Sequence, residues 1–135
     1  SATVVSYFAV TAAWLSGLLG GLWIASDRLL RIAPFAALGA FYAVWLLTNL
    51  LTFSAAAIPA VALFVAVGGA YAGIFFQQMA SRAPDVRHVL LDENNGFVAG
   101  ILMSVAGFAA FGFIFFAVAP PLIVAGLTAL RRVAP

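Results

Sequence analysis

The chain has 135 residues, of which 66% are hydrophobic and only 7% are charged. A soluble domain is about half apolar and about a quarter charged, so this composition excludes a water-soluble globule and indicates a membrane protein. The formal charge of +2 is too small for a nucleic-acid-binding surface, and the lack of cysteine excludes thiol catalysis, cysteine-ligated metals and iron–sulfur clusters within this chain.

Four apolar segments are each long enough to cross the hydrocarbon core of a bilayer, which takes about 20 helical residues. In chain order they cover about 4–24, 34–53, 59–79 and 97–119. We therefore predict an all-α, polytopic membrane helix bundle with four transmembrane helices, forming a single membrane domain over 1–135. The short connection at 54–58 predicts that the second and third spans form a close antiparallel hairpin.

The longest polar stretch, 80–96, separates the third predicted span from the fourth. Pro84 and Asp85 can begin a short helix whose apolar residues recur three and four positions apart, which predicts an amphipathic turn lying on the membrane surface. The Asn-Asn-Gly run at 94–96 is expected to end this turn before the fourth span begins.

Two prolines, Pro120 and Pro121, are expected to interrupt the fourth span, because proline inside a helix removes a backbone hydrogen bond. The apolar tail at 120–135 is too short to cross the membrane, and we predict a kinked or re-entrant segment. The alternative is a fifth span, which would leave about 17 residues for each of the last two helices, the lower limit for crossing.

The arginines predict an orientation. They lie in the connections at 26–33 and 80–96, which face the same side of a four-span protein, and the positive-inside rule makes that side cytoplasmic. The predicted location is the bacterial inner membrane. Arg131 and Arg132 conflict with four spans, because the C-terminus would then return to the outer side; a fifth crossing would remove the conflict.

Small residues recur at every fourth position along three of the predicted spans. Such rows let helix backbones approach closely in lipid, where apolar burial gives little driving force for association. We predict that these rows are helix-packing faces, and that the residues central to them are Ala13, Gly17, Gly21, Gly69, Gly73, Gly100 and Ser104.

Ionisable residues are missing from all four predicted spans, which argues against an ion-coupled transporter with its own membrane carboxylate. Thr48 and Asn49 are the candidate polar residues within the membrane, and Asn49 is expected to bond across helices or to face a polar cavity. In the loop, a cluster offers acid–base or metal-binding groups: His88, Asp92 and Glu93. Since these are too few for a metal site, we predict neither a catalytic nor a metal site, and expect contacts with headgroups or a partner.

The single histidine excludes bis-histidine haem within the chain, whereas the 13 phenylalanines are compatible with an apolar ligand such as a quinone, a pigment or a lipid. The patterns favour a small non-catalytic subunit of a larger integral membrane complex, with the bilayer and other membrane subunits as partners. The alternative is a homo-oligomeric transporter or channel subunit with an uncharged pathway. Neither function involves nucleic acid.

Overall fold

The computed structural model describes residues 2–50, 57–83 and 85–133. These residues form five α-helices: α1 (Ala2–Ile24), α2 (Asp27–Leu50), α3 (Ile58–Arg82), α4 (Val86–Phe111) and α5 (Phe113–Val133). Each is long and apolar enough, by length and composition, to cross a membrane. The prediction of an all-α membrane protein is confirmed at this level, and the described helices number five, the alternative to the four favoured from the sequence.

The chain divides into two compact units after Arg82: unit 1 contains α1, α2 and α3, and unit 2 contains α4 and α5. The buried hydrophobic residues of the described chain all lie in unit 1. The single membrane domain over 1–135 stays a prediction, and so does the hairpin connection at 54–58, because residues 54–56 lie outside the described part of the chain.

In unit 1, α3 packs against both α1 and α2. The helix α2 runs antiparallel to α3, since Asp27 in its first turn pairs with Arg82 at the end of α3, and Leu30 packs against Ile74 one to two turns further in. The helix α1 runs parallel to α3, because its residues 17 and 21 face residues 66 and 70 in the same order. The two parallel helices are therefore neighbours in space although α2 separates them in the sequence.

The start of α2 lies seven residues before the predicted span, so most of the predicted loop at 26–33 is helical. Ser26 caps the helix: its hydroxyl accepts a hydrogen bond from the Leu29 N–H at 3.3 Å, and its carbonyl accepts one from the Leu30 N–H at 2.9 Å. Asp27 then adds a negative charge at the positive end of the helix dipole. Hydropathy alone placed the boundary too late because charged residues do not end a helix.

The helix α4 is continuous over 86–111, so the predicted break at 94–96 is wrong, and the short helix predicted after Pro84 and Asp85 is the first part of this longer helix. Asp85 caps the helix by accepting a hydrogen bond from the Arg87 N–H at 2.9 Å. Asparagine and glycine inside a helix cost only about 1 kcal/mol each or less, which the flanking turns overcome. At 100° per residue, Val86, Val89 and Leu90 share a sector of about 100°, but they belong to the first turns of the continuous helix and not to a separate turn.

The break between α4 and α5 falls at Gly112 and not at the two prolines, which corrects the predicted span at 97–119. Gly112 has a φ of 59°, which is strained for other residues; its N–H donates to the Phe108 carbonyl at 2.8 Å, and its own carbonyl accepts from the Phe115 N–H at 3.2 Å. Pro120 and Pro121 lie inside α5. Proline holds φ near its helical value, so a helix can continue through it at the cost of a hydrogen bond. The tail from 120 is accordingly the second half of α5.

Unit 2 is held at its turn by a close contact between Gly107 and the ring of Phe115, which a methyl group on Gly107 would overlap. We expect Gly107→Ala to lower the stability of the turn by about 1–3 kcal/mol, the usual range for overpacking. The measurement is titration of the micellar protein with sodium dodecyl sulfate, followed by circular dichroism. In a Phe115→Ala background the same change should cost nothing; an undiminished cost there would contradict the contact.

Candidate functional site

The row of small residues on α1 packs against α3 through direct backbone contact. A methyl group added at any of four glycines would overlap a carbonyl group of the facing helix. The pairs are Gly17 with Ala66, Gly21 with Ala70, Gly69 with Trp14, and Gly73 with Leu18. Since a hydrogen atom takes the place of the side chain, each pair has the arrangement of a Cα–H···O hydrogen bond, worth about 0.5–1 kcal/mol. Contact of this kind is a common basis of helix association in lipid.

The structure thus brings four of the predicted packing residues together and leaves others apart. Ala13 is half-buried on α1. On α4, a methyl group added at Gly100 or at Gly96 would have nothing within 4 Å, and Ser104 is half-buried. The row on α4 therefore has open space beside its glycines, in contrast to the filled rows of α1 and α3.

Thr48 and Asn49 lie on exposed positions near the end of α2 and bond back to their own helix. The Thr48 hydroxyl lies 2.9 Å from the Val44 carbonyl and 3.0 Å from the Trp45 carbonyl, to which it can donate. The Asn49 side-chain amide donates to the Trp45 carbonyl at 2.7 Å. Among the described residues, Asn49 is therefore partnered by its own helix, and these bonds reduce the cost of placing both polar groups near lipid.

The polar cluster at the start of α4 is exposed. His88 Nδ1 lies 3.4 Å from Asp85 Oδ2, with the two side chains 75% and 52% exposed, so His88 is nearer the capping carboxylate than Asp92. Asp92 and Glu93 follow in the next turn, also exposed. Within the described residues, no group of three or more histidine, cysteine or acidic side chains is placed to hold a metal ion. An exposed pair of this kind contributes at most about 1 kcal/mol.

One end of unit 1 carries an ion pair and two further arginines, which in the sequence indicated only the orientation of the chain. Arg82 Nη2 lies 2.6 Å from Asp27 Oδ1, which joins the end of α3 to the start of α2. Arg28 and Arg31 are exposed, and within the described part of the chain neither has a carboxylate partner. The signal in the sequence was the spacing of two arginines, three residues apart, directly after the aspartate.

Comparisons of the chain with protein-family models, curated proteins and solved structures found no match. The helices, the glycine rows and the placement of the charges are therefore the features of the molecule that bear on its function.

Proposed function

We propose that this protein is a small non-catalytic subunit of a larger integral membrane complex, and that α4 docks a helix of another subunit. The observation that supports this most is the contrast between glycine rows. On α1 and α3 each central glycine meets the backbone of the facing helix, whereas Gly96 and Gly100 on α4 meet nothing within 4 Å. A row of the same type with room beside it suits a further helix from outside the chain.

The row on α4 also continues beyond its apolar part. At every fourth position it carries His88, Asp92, Gly96, Gly100 and Ser104. The first two residues of this row are ionisable, and the last three are small. A partner helix that follows this row would meet ionisable groups outside the hydrocarbon and a smooth surface inside it. The arginine-bearing helix ends face the cytoplasm in this proposal, and the membrane is the bacterial inner membrane.

The test is native mass spectrometry of the protein purified in a mild detergent from its native membranes. We expect stoichiometric foreign subunits with the unaltered chain, and their loss with Gly100→Leu, because the longer side chain would hold the partner backbone away. The matched control is Gly126→Leu on α5, which is also exposed and has nothing within 4 Å, and should leave the complex intact.

Two other results would overturn the proposal. A homo-oligomer that Gly100→Leu disrupts would replace it with the homo-oligomeric transporter or channel subunit, since a second copy would then occupy the row. A monomer, with or without the substitution, would show that no second protein occupies the row and would remove both functions that depend on assembly through this helix.

A further inference from the structure

We propose that the first turns of α2 bind an anionic phospholipid, with the headgroup phosphate at Arg28 and Arg31 and an acyl chain along the exposed helix face that follows them. This site belongs to unit 1 and is independent of the docking row on α4. Its parts are two arginines that have no carboxylate partner among the described residues, an apolar face directed away from the core, and an exposed tryptophan at the same end of the unit.

The charge at this end of unit 1 is unbalanced. Arg28, Arg31 and Arg82 stand against Asp27, whose carboxylate is already paired with Arg82 at 2.6 Å. Arg28 and Arg31 are three residues apart and therefore neighbours on the helix surface, where two positive charges repel one another without an anion between them. A phosphate diester suits the pair, because guanidinium groups bind phosphate oxygens through two parallel N–H···O bonds.

The apolar part of the proposed site follows on the same face of α2. At 100° per residue, Arg28, Arg31, Ile32 and Phe35 fall within a sector of about 100°. Ile32 and Phe35 are each 54% exposed, although both are large and apolar. One turn further along this face, Gly39 is exposed and has nothing within 4 Å of an added methyl group, so the surface beyond Phe35 is smooth.

The opposite side of α2 is the side that packs into unit 1. Leu30, Ala33 and Ala40 are buried there, and Leu30 and Ala33 join Ile74 of α3 in the core. The arginine face is consequently directed away from the core of unit 1, and there we place the lipid molecule. From Arg28 to Gly39 the helix rises about 16 Å, which is enough for most of one acyl chain.

The level of this end in a bilayer agrees with a headgroup at the arginines. Trp23, next to the last residue of α1, is 89% exposed, and an exposed tryptophan at a helix end is typical of the membrane–water boundary. The arginines follow Trp23 by a few residues, across the short connection to α2. A free anion would use the arginines alone, whereas a phospholipid uses the arginines and the apolar face together, and for this reason we choose the lipid.

The test is native mass spectrometry of the delipidated full chain, titrated with dioleoyl phosphatidylglycerol or with dioleoyl phosphatidylcholine. We expect the first molecule of phosphatidylglycerol to bind more tightly than the first molecule of phosphatidylcholine. Arg28→Gln and Arg31→Gln should each weaken it about fivefold, and the double variant about 25-fold, because an arginine near anionic lipid contributes roughly that factor. Arg87→Gln removes the same charge from unit 2 and should change nothing, and phosphatidylcholine binding should be equal in all variants.

The Arg28→Lys/Arg31→Lys variant keeps both positive charges, and with them the orientation of the chain, but it removes the bidentate hydrogen bonds to phosphate. It therefore distinguishes loss of the lipid site from misfolding or inversion of the protein. We expect it to retain part of the preference for phosphatidylglycerol. The proposal is overturned if the unaltered chain shows no preference, if the double glutamine variant binds equally well, or if the lipid binds only to a dimer. Displacement of phosphatidylglycerol by inorganic phosphate at constant ionic strength would assign the arginines to a free anion and would overturn the lipid.

Discussion

Gly21→Ala should lower the free energy of unfolding of unit 1 by about 2 kcal/mol, whereas Gly20→Ala, one residue away, should leave it unchanged or raise it. The added methyl group at Gly21 overlaps the Ala70 carbonyl, and overpacking against a backbone that cannot move aside costs about 1–3 kcal/mol. Gly20 has nothing within 4 Å, so alanine there only improves helix propensity, by up to about 1 kcal/mol.

The chain repeats this internal control on α3. Gly68 is open, and Gly69 lies against the Trp14 carbonyl, so Gly68→Ala and Gly69→Ala should differ in the same direction. All four variants can be compared by reversible denaturation in mixed micelles with sodium dodecyl sulfate, with circular dichroism as the readout. Equal effects within either pair would show that α1 and α3 do not approach as closely as the structure has them.

A cysteine introduced after Arg132 should be labelled from the same side of the membrane as a cysteine at Ala83. The break at Gly112 divides 86–133 into two helices that are each long and apolar enough to cross, and two successive crossings bring the end of α5 to the side from which α4 started. Every arginine then lies at one side, as the positive-inside rule requires: Arg28, Arg31, Arg82, Arg87, Arg131 and Arg132.

The measurement is labelling of each single-cysteine variant in oriented vesicles with a membrane-impermeant maleimide, before and after permeabilisation. We expect both cysteines to be labelled at the same stage, either both before permeabilisation or both only after it. Protection of the cysteine at 83 together with labelling after 132 would return the protein to four spans and would require Gly112 to lie in a bent but continuous crossing. The turn itself suits apolar surroundings, since both backbone groups of Gly112 are hydrogen-bonded within it.

The sequence predicted the helices well and their ends poorly. Hydropathy located α1 to α4, but it joined the end of α4 to the start of α5 in one span and left the rest of α5 as a tail. It also placed the start of α2 at Pro34 and divided α4 from its polar first turns, because it measures transfer into lipid and not backbone hydrogen bonding. The break at Gly112 was missed since one glycine among phenylalanines resembles any other small residue, and only the positive φ distinguishes it.

The candidate site shows the same limit. The spacing of four residues identifies Gly17 and Gly21 on α1 and Gly69 and Gly73 on α3 as packing residues. The spacing within one helix does not say which other helix packs against these glycines. That pairing depends on α2 returning the chain so that α1 and α3 run parallel. Asn49 likewise has a partner that no pattern specified, because a bond to Trp45 of the same helix and a bond across helices require the same residue type.

The parallel contact between α1 and α3 also sets an order of events during synthesis. Ala66, which faces Gly17, is made about 50 residues later, so at ordinary translation speeds α1 waits roughly 3–10 s for its partner. During that interval its glycine face is uncovered in the bilayer and free to meet the same face of a neighbouring nascent chain. The glycine face of α1 is therefore covered within its own chain only after α3 has been made.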